Sequence, residues 1–513
     1  MTRVNKLLKN AKWSYIGSFA SIVTGFISRT AFIYILGTTY LGLNTVFTSV
    51  LGILSFAELG IGNVLNTQLY KPVAENNHEK IKTLINLYRK AYLIIASGIA
   101  VIGLAFLPFL NYVIKGAVDI PYVKIYYLVF LFNTVISYFV SYKYSLPNAE
   151  QKIYIQTNIT TVFSIISIMI QIITIILFRT YWIYLAAQTI VVIVQCLFAS
   201  IYLDKKYPIF SEKNIKPLQK KEKDEFKNNL SAGVMYKLSD VAINQTDNLI
   251  ISGMINVETV GLMSNYTMLL TYVEKLTKPI LDNTGPGLGD FIATESIERK
   301  RDLIKIYQFL GFWINCFCAI GLITLSSPLI KLWLGSDKVL PIITIIIYFI
   351  NFFYSGLMRA FSSMKAAHGI FYDDWYVGII AAIVNLVVSI ILVHFYGLPG
   401  VFIGTLASNI VSEIGRPIIS YRKHYHEPLI KYFLRNTKYL IVGICTGIIV
   451  FFVTRPILAI VSIPNFIMAL GIVVIIPNLI WILIFHRTME YRYFYNVLKK
   501  ISLNIFKRSA EKN

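Results

Sequence analysis

The sequence is short of charge, and of acidic residues above all. Only 14% of its 513 residues are charged, with 26 Asp and Glu against 48 Lys and Arg, where a soluble chain would carry roughly a quarter. With 56% hydrophobic residues and a mean hydropathy of +0.63, the shortfall points to lipid as the surrounding solvent. The four cysteines, Cys196, Cys316, Cys318 and Cys445, all fall inside apolar runs. Their spacing fits neither a disulfide framework nor a metal site, so they read as small core residues. There is no GxxxxGK[ST] phosphate loop, no polar stretch long enough for an ATPase, and no His or acidic cluster at metal-ligand spacing. The expectation is a protein that is not an enzyme, with no catalytic residues, no metal and no cofactor beyond a coupling ion. A membrane-embedded glycosyltransferase is expected to carry paired carboxylates in a large non-cytoplasmic loop, and the loops on that side are short.

What is present is a long series of apolar segments. A helix needs about 20 apolar residues to cross a bilayer with its backbone groups satisfied internally. Windows of that size give about fourteen transmembrane spans, near 13–35, 41–66, 91–114, 122–142, 154–178, 182–203, 230–254, 259–283, 303–327, 340–364, 376–396, 400–421, 437–453 and 465–486. The fold class expected is an all-α integral membrane protein. The first apolar stretch is too long for a signal-peptide core and no cleavage site follows it, so Met1 to Lys12 is expected to be retained.

The formal net charge of +22 could suggest nucleic acid, but its distribution argues otherwise. Most Lys and Arg residues fall in the termini and the even-numbered loops, and few in the odd-numbered loops. Positive residues accumulate on the cytoplasmic side, which places both termini there. The basic runs Lys205 to Lys227 and His486 to Lys512 then face anionic lipid. Neither run is Gly-rich or carries a nucleic-acid readout motif.

An internal repeat organises the chain. A shift of 219 residues lays Asn10 on Asn229, Gly42-Leu43 on Gly261-Leu262 and Phe47 on Tyr266. The same shift superposes spans one to six on seven to twelve. Six spans per copy leave both copies starting on the same side, so they are parallel repeats about an axis along the membrane normal. The expected organisation is an N-lobe (1–204), a basic linker (205–229), a C-lobe (230–425), two added spans (426–490) and a basic tail (491–513). In repeat transporters the site lies at the repeat interface near the midplane, here the face shared by spans one, two, seven and eight.

Ionisable groups inside spans are costly and normally face a wet cavity or a partner. Span one carries Ser14, Ser18, Ser21, Gly25 and Ser28 on one face beside Arg29. Span two repeats the pattern, with Glu58 on its polar side. Small residues alone would fit close helix packing equally well. Span seven sets Lys237, Asp240, Asn244 and Asp247 at spacings of three, four and three, and span eight gathers Glu274, Lys275, Lys278 and Asp282 near its cytoplasmic end. Arg29, Lys237, Lys275 and Lys278 form the candidate cationic cavity for an anionic ligand. Glu58, Asp240 and Asp247 are candidates for charge balance or for coupling to H+ or Na+. Arg359, Glu413 and Arg416 are assigned to the cytoplasmic mouth.

The stretch Tyr40-Leu41-Gly42-Leu43, followed by Leu54 to Gly62 (Leu-Ser-Phe-Ala-Glu-Leu-Gly-Ile-Gly), resembles the second-helix signature of the bacterial polysaccharide flippases. These are the O-antigen and capsule repeat-unit transporters of the multidrug, oligosaccharidyl-lipid and polysaccharide (MOP) exporter superfamily. The resemblance implies two parallel six-helix lobes plus two C-terminal helices. It also implies a substrate, an undecaprenyl-pyrophosphate-linked oligosaccharide, carried from the inner to the outer leaflet by alternating access. Arg29 falls where related lipid II flippases carry an arginine in helix one, and the last two spans are implied to form a groove for the lipid tail. Membrane lipid, a polysaccharide polymerase and glycosyltransferases are the implied partners. A multidrug-type antiporter of cationic drugs, or a non-transporting membrane partner of polysaccharide synthesis, are the alternatives.

Overall fold

The computed structural model describes residues 21–55, 68–116, 120–212, 245–282, 296–367, 374–424, 428–496 and 499. Every regular element among them is helical. Fourteen of these helices occupy the positions of the expected spans. They are α1 (Ser21–Leu36), α2 (Thr38–Leu54), α3 (His78–Phe106), α4 (Val123–Ser141), α5 (Tyr154–Phe178), α6 (Tyr181–Lys206) and α7 (245–255). The others are α8 (Val257–Asp282), α9 (Ile297–Leu334), α10 (Ile342–Ala367), α11 (Trp375–Tyr396), α12 (Leu398–His424), α13 (Leu429–Leu458) and α14 (Ile463–Phe485).

Ten of them, α3 to α6 and α9 to α14, contain segments long and apolar enough to cross a membrane. Helices α1 and α2 pass that test as a pair bent by 120° about Gly37, whose φ of 86° lies in the left-handed region that glycine enters without strain. Helix α8 is too polar to pass. The protein is a multi-pass membrane protein.

Two helices, α3 and α13, start well before their hydropathy windows. Helix α13 has 30 residues, so the span that looked short at 437–453 is among the longer ones; its first turns carry Lys431, Arg435 and Lys438, which depress hydropathy without breaking the helix. Helix α3 starts at His78, thirteen residues before the apolar window. Asn77 caps it by accepting from the Lys80 amide, and Ile81, Leu84, Ile85 and Tyr88 bury the early face.

The chain separates into two compact units, 1–264 and 265–513. The division falls within α8, so α7 and the first two turns of α8 pack with the first unit. In that unit α5 exposes most of its apolar surface, burying only Ile155, Ile159, Gln171 and Ile175, as a lipid-facing helix must. Lys143, just beyond α4, is buried and donates to both carboxylate oxygens of Asp204 and to Ser200 on α6, so its charge is neutralised where it is desolvated.

In the second unit an aromatic seam docks the last two helices onto α9. Phe312 stacks on Tyr439 at 4.8 Å, Trp313 meets Trp481 at 5.3 Å, and the two indole N–H groups donate to Asn478 and Thr446. Helices α11 and α12 approach closely because Gly400 and Gly404 on α12 face α11: a Cβ at Gly404 would lie 2.1 Å from Ser389 Oγ. Spacing small residues by four is how helices pack tightly in lipid. Asn385, buried in mid-helix, donates across this seam to Thr405. Asn385→Ala is expected to cost about 0.6 kcal/mol, the typical value for such a bond in a membrane protein, measured as a small fall in the unfolding midpoint of purified protein.

Candidate functional site

Within the first unit α1 and α2 meet α7 and the start of α8, the helices singled out by the repeat. Gly42 on α2 faces the backbone of Val257, where a Cβ would lie 1.9 Å from the carbonyl oxygen. Gly261 on α8 faces the backbone of Thr38, where a Cβ would lie 2.1 Å from that carbonyl oxygen. These four positions are related by the same shift of 219 residues, Gly42 to Gly261 and Thr38 to Val257. The repeat therefore takes the form of a reciprocal contact, with each glycine admitting the other copy's backbone. Thr38 Oγ1 also donates to Glu258 Oε1 at 3.1 Å, and the Lys115 backbone N–H donates to Ser252 O at 3.1 Å.

Two further hydrogen bonds cross between the copies. Arg29 Nη1 on α1 donates to Ser264 Oγ on α8 at 2.8 Å, and Asn248 Nδ2 on α7 donates to Ser49 Oγ on α2 at 3.0 Å. Adding 219 to 29 gives 248, so Arg29 and Asn248 are repeat mates, one cationic and one neutral, each donating to a serine on the second helix of the other copy, the two serines lying about one turn apart in register. Arg29 is half-buried, and its planar fork of donors suits a phosphate. Tyr184 lies within electrostatic reach of Arg29, beside an aromatic cluster of Phe32, Tyr40, Tyr126 and Tyr181. Asp247 is half-buried on α7, with its Oδ1 sheltered from solvent.

Glu58, Lys237 and Asp240 lie outside the described residues. In the second unit Lys278 pairs with Glu274 at 2.8 Å and Arg359 reaches the same carboxylate at 3.5 Å, so one glutamate holds two candidate cations. Lys275 is exposed, its ammonium 5.5 Å from the Tyr272 ring centre. Glu413 is 4% exposed and Arg416 half-buried. Sequence reasoning passed over Asn248, Ser49 and Ser264. The repeat shift applied to Arg29 points to Asn248; neither serine stands out by composition.

The second unit also holds an apolar cavity of about 250 Å³ between α9, α10 and α13, lined by residues such as Cys316, Ile320, Phe353, Gly443, Ile448 and Phe451. Its walls suit a hydrocarbon chain. The lipid-tail groove expected from spans thirteen and fourteen differs from it, since this cavity uses α9 and α10 in place of α14. Among the described residues no group of His, Cys, Asp and Glu could hold a metal ion.

Residues 7–284 match the family model described as "Polysaccharide biosynthesis protein". The chain belongs to that family. No curated protein matches it in sequence. Among solved structures, this member of the polysaccharide biosynthesis family is similar to the lipid II flippase MurJ in an inward closed conformation, with a TM-score of 0.66 and 17% identity over 92% of this chain and 99% of that one. It is similar to an inward-facing multidrug-resistance transporter of the MATE family of the MOP superfamily, with a TM-score of 0.59 and 15% identity over 79% and 96%. It also resembles a mutant of the MATE transporter VcmN of Vibrio cholerae, with a TM-score of 0.53 and 15% identity over 82% and 98%. At these identities the likeness is one of fold, and the fold is that of the MOP transporters.

Proposed function

We propose that the protein is a flippase that carries an undecaprenyl-pyrophosphate-linked oligosaccharide, a repeat unit for capsule, O-antigen or exopolysaccharide, from the inner to the outer leaflet by alternating access. The observation that carries this reading is Arg29. A half-buried guanidinium inside a span is costly to place, and this one lies at the contact between the two repeats, where an anion can be held by its charge and its planar fork. The pyrophosphate cannot cross about 30 Å of hydrocarbon unaided, because an unpaired charge in low dielectric is so costly. A cationic path removes that cost, while the isoprenoid tail stays in lipid or in the apolar cavity beside α13. Family membership and the fold shared with the lipid II flippase support the same class of cargo. In this reading both termini face the cytoplasm of a bacterial inner membrane, H+ or Na+ drives the cycle, and the polymerase and glycosyltransferases of the same polysaccharide are its partners.

The test uses the purified protein in vesicles carrying a fluorescent polyprenyl-pyrophosphate oligosaccharide. A membrane-impermeant quencher reports how much label has changed leaflet. Protein-containing vesicles are expected to exchange it much faster than empty ones. Equal exchange in both, together with uptake of a cationic dye, would favour the multidrug-type antiporter instead.

A further inference from the structure

Glu413 on α12 is among the most buried acidic groups described, 4% exposed, and its two oxygens are treated unequally. Oε1 accepts from Asn436 Nδ2 at 2.7 Å, whereas Oε2, also buried, has no hydrogen-bond partner. Asn436 Oδ1 in turn accepts from Gln308 Nε2 at 3.1 Å, and Gln308 Oε1 accepts from Arg435 Nε. The polarity of this run is forced, because a guanidinium can only donate. Gln308 must turn its oxygen to Arg435 and its nitrogen to Asn436, and Asn436 then has only its nitrogen left for Glu413. Four side chains on α9, α12 and α13 thus form a one-way chain of donors that ends on a carboxyl group one donor short.

Among the described residues the surroundings do not supply the missing donor. From α10, Tyr354 is within electrostatic reach of Glu413, and from α13 so is Tyr432. Arg359 on α10 is held by Glu274, and Lys305 on α9 by Asp302. Tyr307 on α9 and Tyr421 on α12 pack with Tyr432 in an apolar cluster. On its own helix Arg416 lies three residues on, and its buried Nε lacks a hydrogen-bond partner. An unmatched donor and an unmatched acceptor therefore share one side of α12. If ionised, Glu413 leaves a buried oxyanion half satisfied, a costly arrangement. With a proton on Oε2 the group is neutral, and Oε1 still accepts from Asn436.

We propose that Glu413 is the site at which the protein binds its coupling proton, an inference that rests on the transport reading above for what the proton drives. Uptake forms one O–H bond at Oε2 and breaks one in a hydronium ion, leaving water, and the proton is later given up to water on the side assigned to the cytoplasm. Release leaves a carboxylate that draws on the Arg416 guanidinium one turn away. Each exchange changes the charge at the end of the Arg435–Gln308–Asn436 chain, so the proton is felt by α9 and α13 together with α12.

The experiment uses the full chain in lipid, without substrate first. Infrared difference spectra taken between about pH 5 and about pH 9, a window beyond which ordinary glutamates have already ionised at the lower end, are expected to contain a carboxylic C=O band. That band should be missing in Glu413→Gln and retained, shifted, in Glu413→Asp, which keeps a titrating group and guards against a folding defect in the glutamine variant. Identical spectra for wild type and E413Q overturn the proposal. In vesicles, the leaflet distribution set by the wild type is expected to change about tenfold per unit of pH difference for one coupled proton, and that of E413Q to ignore the difference. A variant that still follows the gradient also overturns it. A wild type with the band that moves no lipid-linked oligosaccharide supports the proton site and overturns the transport reading.

Discussion

Replacing Arg29 by alanine is expected to lower transport of a pyrophosphate-linked lipid by about 10- to 150-fold at unchanged protein level. The range follows from the worth of a hydrogen bond to a charged group, about 1.5–3 kcal/mol, read as a ratio of rates. The bond to Ser264 is lost as well, but its partner is a hydroxyl that can bond elsewhere: Ser264 Oγ already donates to Gly261 O at 2.7 Å. Stability should therefore change far less than transport. Arg29→Lys keeps the charge and loses the planar fork, so it should fall between the two. Rates are to be normalised to folded protein in the vesicle assay. Wild-type transport by the alanine variant would remove Arg29 from the site.

Gly42→Ala is expected to destabilise the protein by about 1–3 kcal/mol, the usual cost of forcing an extra methyl group into a packed site, and to suppress transport further by holding α2 away from α8. The new Cβ would meet a backbone carbonyl at 1.9 Å, and a carbonyl cannot rotate away as a side chain can. Gly261→Ala should behave alike, because its Cβ would meet the Thr38 carbonyl at 2.1 Å. The reciprocity gives a sharper expectation: once one methyl group has separated the helices the second finds space, so the double variant should cost clearly less than the sum of the singles. Gly98→Ala and Gly471→Ala, where nothing lies within 4 Å, serve as controls and should be neutral or slightly stabilising. Unfolding midpoints of the purified variants decide the matter. Strict additivity would mean that the two glycines act at separate contacts.

The helices that sequence located best are those whose only requirement is lipid. Tyr154–Phe178 ends where the hydropathy window ends, because a lipid-facing segment must be apolar throughout. Helix α8 was read from the same windows, at 259–283, although Glu258, Asn265 and Glu274 lower its hydropathy below that of an ordinary span, and its register with α2 in the repeat agrees with that reading. The site was legible in its charges and not in its partners. Arg29 stands out because a cation inside a span is rare, whereas Ser49 and Ser264 are indistinguishable in sequence from the many serines that only let helices pack. Glu413 drew notice as a charge near a helix end. Its chain through Asn436 and Gln308 joins residues more than a hundred positions apart, and amides carry no periodicity that would have linked them.

The reciprocal fit of Gly42 on Val257 and of Gly261 on Thr38 bears on how such a chain arises. A contact in which each partner offers the same two features to the other is the kind made by identical subunits about a dyad. A half-length ancestor could thus have worked as a homodimer with no change to this seam. Identical subunits, however, would place two arginines symmetrically about the axis, at positions 29 and 248. In this chain the second copy carries asparagine at 248, so the pair of equivalent positions presents one guanidinium, that of Arg29.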